Sequence, residues 1–282
     1  MSIRGLLAGL LLGSANDAAE ALAIEEEGSV GAFVDAMNAR ARELGMSETR
    51  FASPHGLDDR GRSSATDVLA LLGAAREHAM FRSLVARRFT VISTGSGTPR
   101  RIQNRNVMLW LYAGATGVKT GFTAGAGYCL LATARRGDRE LAVVVLGGGD
   151  EVFSDAAALL NHGFAAYELR TLVAEGASLG SVRVRGGVVP VVAGEQLDAL
   201  VGVEAGGAIE RTLSVSPGAA YPPPSGSVVG TLRVTSSGAS LGKVTVLVAN
   251  LAPPLEPTGS WWGRAAGAVS GAVTAVVAGL LG

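Results

Sequence analysis

The residues in this chain best suited to chemistry are Lys119-Thr120-Gly121, inside the run ATGVKTGFTAGAGYCLLA at positions 115–132. Lys119 is one of only two lysines, with Lys243, so 22 of the 24 basic residues are arginines and this lysine stands out in its glycine-rich setting. Lys-Thr-Gly ahead of a strand-prone apolar run, here residues 128–133, is a known catalytic element. The same letters suggest a phosphate loop, but that loop needs Gly and Lys adjacent before Ser/Thr, and Val118 separates them. Phosphate cradling is therefore excluded. A second candidate pair is Ser14 and Asn16. A serine hydroxyl both donates and accepts and so can relay a proton, while an asparagine offers an amide donor and a carbonyl acceptor. Ser14 also has a plainer reading, as a helix cap.

Composition bounds the alternatives. The 282 residues are 48% hydrophobic and 17% charged with a net charge of 0, which describes a globular chain and gives no basic patch for nucleic acid. The single cysteine, Cys129, excludes an internal disulfide. Three scattered histidines, His55, His78 and His162, do not suggest a metal site, and no cofactor is expected. His55 is read as a loop-stabilising residue, Cys129 as a structural thiol near the motif strand, and Arg100-Arg101 as a solvated face.

The elements that must position these residues follow from periodicity. Residues 6–24 read as a helix, or as two helical turns flanking a bend at Gly13-Ser14. Val30, Phe33, Val34 and Met37 recur at helical spacing toward a stop at Gly45. Ser64 with Asp67 resembles a capping box opening an apolar helix at 68–75. Strands are expected at 89–92, 101–103, 128–135 and 140–146, then an amphipathic helix at 152–169. Residues 1–175 thus read as an α+β domain. Residues 176–252, rich in valine and punctuated by Gly and Pro, read as a small β-sandwich with a hairpin whose arms are 228–235 and 243–249. A proline-rich linker, 253–259, leads to residues 260–282, where the 18 positions after Arg264 carry no charge and follow Trp261-Trp262. That segment reads as a membrane anchor, spanning the bilayer or lying on it.

Several segments occur in a telling order: Ser14-Ala15-Asn16-Asp17, the run FASPHGLD at 51–58, Ser64-Ala65-Thr66-Asp67, Asn104 with Asn106, and GVKTGFT at 117–123 continuing to Cys129. Together they resemble the serine-type D-Ala-D-Ala carboxypeptidases, the low-molecular-mass penicillin-binding proteins. The resemblance implies a penicillin-binding-protein/β-lactamase-like domain, then a β domain and an anchoring tail. It also implies acyl transfer from peptidoglycan stem peptides on the outer face of the cytoplasmic membrane, through an acyl-serine that β-lactams block. By the same resemblance Lys119 and Thr120, with Gly121, grip the substrate's terminal carboxylate, Ser14 relays a proton to the leaving nitrogen, and Asn16 orients the substrate and the neighbouring lysine.

One departure is large. The family's nucleophile lies in Ser-x-x-Lys, several tens of residues before the Ser-x-Asn element, and here only thirteen residues precede Ser14. The only Ser-x-x-Lys is Ser240-Leu241-Gly242-Lys243, in the β domain and after Lys119, the wrong place and the wrong order. The sequence therefore reads as an N-terminally incomplete stretch of a longer secreted enzyme, inactive as it stands. On that reading the apolar run 5–13, which with Arg4 and Ala21-Leu22-Ala23 has the outline of a secretory signal, is a core helix. The alternatives are a non-catalytic protein that binds peptidoglycan or a partner, and a β-lactamase of the same fold. The β domain, the apolar tail and the lack of a clear Glu-x-x-Leu-Asn element speak against the last.

Overall fold

The computed structural model describes residues 1–93, 96–184, 186–203, 209–216 and 223–249. The chain divides into two compact units, Met1–Ala166 and Tyr167 onward. In the first unit, α1 (Ile3–Gly13) and α2 (Asn16–Glu27) are separated by a bend, the second of the two alternatives for residues 6–24. Ser14 makes the bend by adopting left-handed φ 54° and ψ 45°. The Ser14 N–H donates to the Leu10 carbonyl and the Ala15 N–H to that of Gly9, each at 3.1 Å, which closes the last turn of α1. Glycine is the default residue in that conformation; a side chain there costs about 1 kcal/mol.

Helix α3 (Val30–Glu43) starts at Ser29, whose hydroxyl accepts the Ala32 N–H at 3.1 Å, and ends just before Gly45. Helix α4 (Ala65–Arg76) is capped by Ser64, which accepts the Asp67 N–H at 3.3 Å. The other half of the expected capping box is not formed. Instead the buried Asp67 carboxylate takes the Glu48 N–H at 2.9 Å and the Thr49 hydroxyl at 2.7 Å, tying the preceding loop to α4. After α5 (Ala79–Val85) come the antiparallel pair β1 (Phe89–Ser93) and β2 (Pro99–Gln103) and the short α6 (Met108–Leu111).

A three-stranded antiparallel sheet forms the centre of this unit: β3 (Ala115–Thr123), β4 (Gly127–Arg136) and β5 (Arg139–Gly148), in that order. Lys119 lies in the middle of β3, a strand the sequence reading did not delimit because glycine and threonine at 116, 117, 120 and 121 mask its strand character. Leu130, Ala132, Ala134 and Val143 of the sheet pack against Val152, Ala156, Leu160 and Phe164 of α7 (Val152–Ala166). Val118 and Leu131 pack with Leu11, Leu72, Phe81 and Val85 of α1, α4 and α5. The sheet is thus sandwiched between helices, an α+β arrangement.

Helix α7 stops at Ala166, three residues before the end expected from its amphipathic pattern, because Tyr167 begins β6 (Tyr167–Val173). That strand pairs with β9 (Leu197–Gly202), and the pairing outweighs a helix-compatible local sequence. The second unit also contains β7 (Ser178–Val184), β8 (Gly187–Ala193), β10 (Ile209–Val215), β11 (Val228–Ser236) and β12 (Ala239–Val248). These form a sheet of order β10-β11-β12-β8-β7. Its core is dominated by valine, including Val191, Val234, Val244 and Val246 at 0% exposure. The β11–β12 turn is tighter than the sequence suggested: only Ser237 and Gly238 connect the strands, with φ 48° and 80°, the pattern of a type I′ hairpin. Among the described residues no helix is long and apolar enough to cross a membrane; the linker 253–259 and the expected anchor 260–282 lie outside them.

Gly114 has φ 86°, and a Cβ built on it would stand 2.3 Å from the Arg135 carbonyl oxygen, whereas Gly45 at φ 73° has nothing within 4 Å. Gly114→Ala is expected to cost about 2–4 kcal/mol of stability in urea unfolding, against about 1 kcal/mol for Gly45→Ala. Equal costs would show that the close approach of β3 and β4 is not what requires glycine.

Candidate active site

Two elements distant in sequence supply the site. The Lys119 ammonium, from the middle of β3, donates to the Ser14 hydroxyl at the end of α1, 105 residues away, and to its neighbour Thr120's carbonyl at 2.6 Å. Ser14 does not cap α2: the N-cap residue is Ala15, with no side-chain hydrogen bond. The left-handed turn instead carries the hydroxyl to Lys119. Ser14 is a helix cap all the same, at the C-terminal end of α1 and through its backbone, while its side chain goes to Lys119.

The lysine environment is unusual for a cation. Lys119 is half-buried, and burial pulls its pKa from an ordinary 10.5 to about 8, with the positive charge of Arg105 acting in the same direction. While protonated, the ammonium has three donors and no acceptor. Ser14 and Thr120 engage two of them, which leaves one for an incoming anion. Because Ser14 accepts from Lys119, its own O–H is free to donate elsewhere. A hydroxyl held in this way can pass a proton to a leaving nitrogen while the cation beside it binds a carboxylate.

Thr120 is half-buried and pairs across the sheet with Leu130, and Gly121 pairs with Cys129. A Cβ at Gly121 would make only an ordinary 3.7 Å contact with Cys129, so the glycine is not imposed by packing; its effect is to keep the strand surface open. In this sheet β3 is an edge strand, bonded to β4 on one side. Asn16 lies exposed on the first turn of α2, and the Lys119 ammonium bonds go to Ser14 and Thr120 rather than to it. A cleft of about 640 Å³ adjoins Ser14, bordered by α1, α2 and β2 and bearing Asp17, Arg100, Arg101 and Arg105.

Other residues hold the site elements in place. Glu140, with its side chain 14% exposed, accepts from Arg76 of α4 at 2.6 Å, Arg135 of β4 at 2.7 Å and Thr116 of β3 at 3.1 Å. Burial raises its pKa, but the hydrogen bonds from Arg76, Arg135 and Thr116 outweigh that and hold it below the usual range. One carboxylate thus fastens the start of β3 to three other elements. His55 steadies its loop, as its sequence context suggested: Nδ1 accepts the Leu57 N–H at 3.1 Å, and Nε2 lies 3.4 Å from Glu20 of α2. Cys129 is half-buried, with Sγ 3.8 Å from the Ala126 carbonyl. Arg101 is exposed over the Phe89 ring at 4.2 Å. Sequence reasoning missed Arg105 and Glu140, which carry no motif and act only through neighbours brought close by folding.

Similarity to known proteins is extensive. The model of a D-alanyl-D-alanine carboxypeptidase family matches residues 1–150. The D-alanyl-D-alanine carboxypeptidase DacC of Escherichia coli is 38% identical over 189 residues, covering 65% of this chain and 46% of its own. DacF of Bacillus subtilis, described by the same activity, is 31% identical over 194 residues, covering 66% of this chain and 49% of its own. The chain therefore spans about half the length of the curated relatives it matches. Among solved structures, penicillin binding protein 5 from Haemophilus influenzae matches with a TM-score of 0.68 at 26% identity, over 89% of this chain and 74% of that one.

The environment of Lys119 makes a titration decisive. With its pKa at about 8 in the fold and 10.5 when unfolded, the folded protein binds fewer protons between those values. Stability is therefore expected to rise with pH across that window, the burden of a buried charge being full below pH 8 and gone above 10.5. The hold on an anion is expected to weaken around pH 8, where the folded protein loses the ammonium. Carbon-13 chemical shifts of the lysine Cε groups, read against pH, check the midpoint; a value near 10.5 for Lys119 would show that its amine is not desolvated.

Proposed function

Because the chain belongs to the D-alanyl-D-alanine carboxypeptidase family, we propose that its Ser14–Lys119 site serves serine-type hydrolysis of the D-Ala-D-Ala terminus of peptidoglycan stem peptides. The observation that carries this reading is the bond from the half-buried Lys119 ammonium to the Ser14 hydroxyl, which sets a carboxylate-binding cation beside a proton relay. In the proposed reaction a serine Oγ attacks the carbonyl carbon of the penultimate D-Ala, the peptide C–N bond breaks, and the departing amine takes a proton by way of Ser14. Water then releases the acyl group. Lys119 and Thr120 hold the terminal carboxylate and so select a chain end over an internal peptide bond. Gly121 leaves the β3 edge open for an extended peptide to lie alongside, and Asn16 contacts the substrate on the α2 side.

The attacking serine is not assigned to any residue of this chain. The only Ser-x-x-Lys is Ser240 to Lys243, within β12 of the second unit, and the family motif precedes the Ser-x-Asn element rather than following it. The 282 residues thus supply the relay and the carboxylate grip, and are proposed to be inactive without a Ser-x-x-Lys segment. The proposed setting is the outer face of the bacterial cytoplasmic membrane, with residues 260–282 as anchor and β-lactams as inhibitors of the catalytically complete protein. The alternative is a non-catalytic protein that binds peptidoglycan or a partner, and the test below separates the two.

The test begins with the genomic reading frame upstream of Met1. If it encodes Ser-x-x-Lys, the extended protein should be acylated by a fluorescent penicillin and release D-alanine from a D-Ala-D-Ala peptide, and Lys119→Ala should lower turnover by about 100-fold or more with the fold intact. Unchanged turnover in that variant would sink the role of Lys119. An extended frame without the motif, and no acylation, would favour the binding reading.

A further inference from the structure

Asn104 carries no reacting group and lies at the end of a β hairpin, yet it is only 3% exposed and both polar atoms of its side chain are hydrogen-bonded. Its Nδ2 donates to the Val85 carbonyl at 3.2 Å and the Arg87 carbonyl at 3.0 Å. Its Oδ1 accepts the Asn106 N–H at 2.9 Å, and its own N–H donates to the Arg88 carbonyl at 2.8 Å. This fixes the backbone of the next residue, Arg105, whose N–H donates at 3.0 Å to the carbonyl of Leu12, in the last turn of α1 and two residues before Ser14.

The other side of the same clasp reaches β3. Val85, whose carbonyl Asn104 holds, stands so close to Gly117 that a Cβ there would come within 3.0 Å of Val85 Cγ2. Val85 also packs with Val118, the residue before Lys119, and with Leu72. One buried amide therefore grips, through its side chain, the residue on which β3 rests ahead of Lys119. Through its chain neighbour it grips the helix end that carries Ser14. We propose that Asn104 is a positioning residue that sets the separation of the Ser14 hydroxyl from the Lys119 ammonium. Its bearing on catalysis rests on the reading of those two groups as the working pair, but the geometry itself involves no substrate.

A comparable amide elsewhere provides the control. Asn38 donates to the carbonyls of Val34 and Phe51 and accepts the Phe51 N–H, all at 2.9 Å, and so ties α3 to the following loop without reaching Ser14 or Lys119. If Asn104 served stability alone, leucine at either position would have the same kind of effect.

The two-lysine composition gives a direct readout. In the full 282-residue chain labelled with carbon-13 lysine, Lys119 and Lys243 give separate Cε signals, assigned with Lys243→Arg. In Asn104→Leu, release of Ser14 from Lys119 changes both the ammonium's acceptors and its access to water, and should move its titration midpoint by about half a pH unit or more in either direction, with Lys243 unchanged. Asn38→Leu should move it by less than about 0.3. An unmoved Lys119 midpoint in folded Asn104→Leu, or an equal shift in Asn38→Leu, overturns the proposal. Should Asn104→Leu fail to fold, Asn104→Gln, which displaces the amide by one methylene, is read by the same two criteria. Since no substrate enters the measurement, failure of the carboxypeptidase reading would leave its outcome unchanged.

Discussion

Withdrawing a lysine ammonium from water is the constraint on which the first unit depends. Burial alone works against the charged form of Lys119, and the nearby Arg105 adds to the strain. A charge in that position persists only if its donors find acceptors, and the Ser14 hydroxyl and the Thr120 carbonyl are those acceptors. Ser14 arrives from the far end of the unit's sequence, so the contact exists only when α1 and β3 are both in place. The apolar packing of Leu11, Leu72, Val85, Val118 and Leu131 brings them together, and Glu140 fastens the start of β3 from the side. Hydrophobic burial supplies the force, while the polar ties supply the direction.

The second unit obeys a simpler rule. Its strands alternate buried valines with outward polar residues, as in β11, where Leu232 and Val234 are buried and Thr231 and Arg233 exposed. No polar side chain in its described portion is buried as Asn104 and Asn106 are in the first unit. The contrast separates a core built for cohesion from one that also has to hold a charged group in place.

Legibility in the sequence followed the range of the interactions. The bend at Gly13-Ser14, the cap at Ser64 and the valine-rich, Gly- and Pro-punctuated texture of the second unit are local signals, and each corresponds to an observed feature. Strand β3 was hidden because its glycines serve close approach and openness, not strand propensity. The start of β6 was hidden because pairing with β9 decides it. At the site, Lys119-Thr120-Gly121 was visible as a motif and Ser14 as a candidate. The roles of Arg105, Glu140 and Asn104 depend on partners far away in sequence, such as Leu12 for Arg105 and Arg76 for Glu140. No pattern in a window of a dozen residues encodes such pairs.

The left-handed serine at the end of α1 has an evolutionary consequence. Glycine would close that helix with less strain, so selection for folding alone favours its replacement, and a lineage that uses the hydroxyl has to hold a serine there against that pull. Position 14 therefore records the selective history of the site. In a lineage that still uses the relay the serine is held against mutational drift, and in one that retains only the fold it is among the first residues free to become glycine.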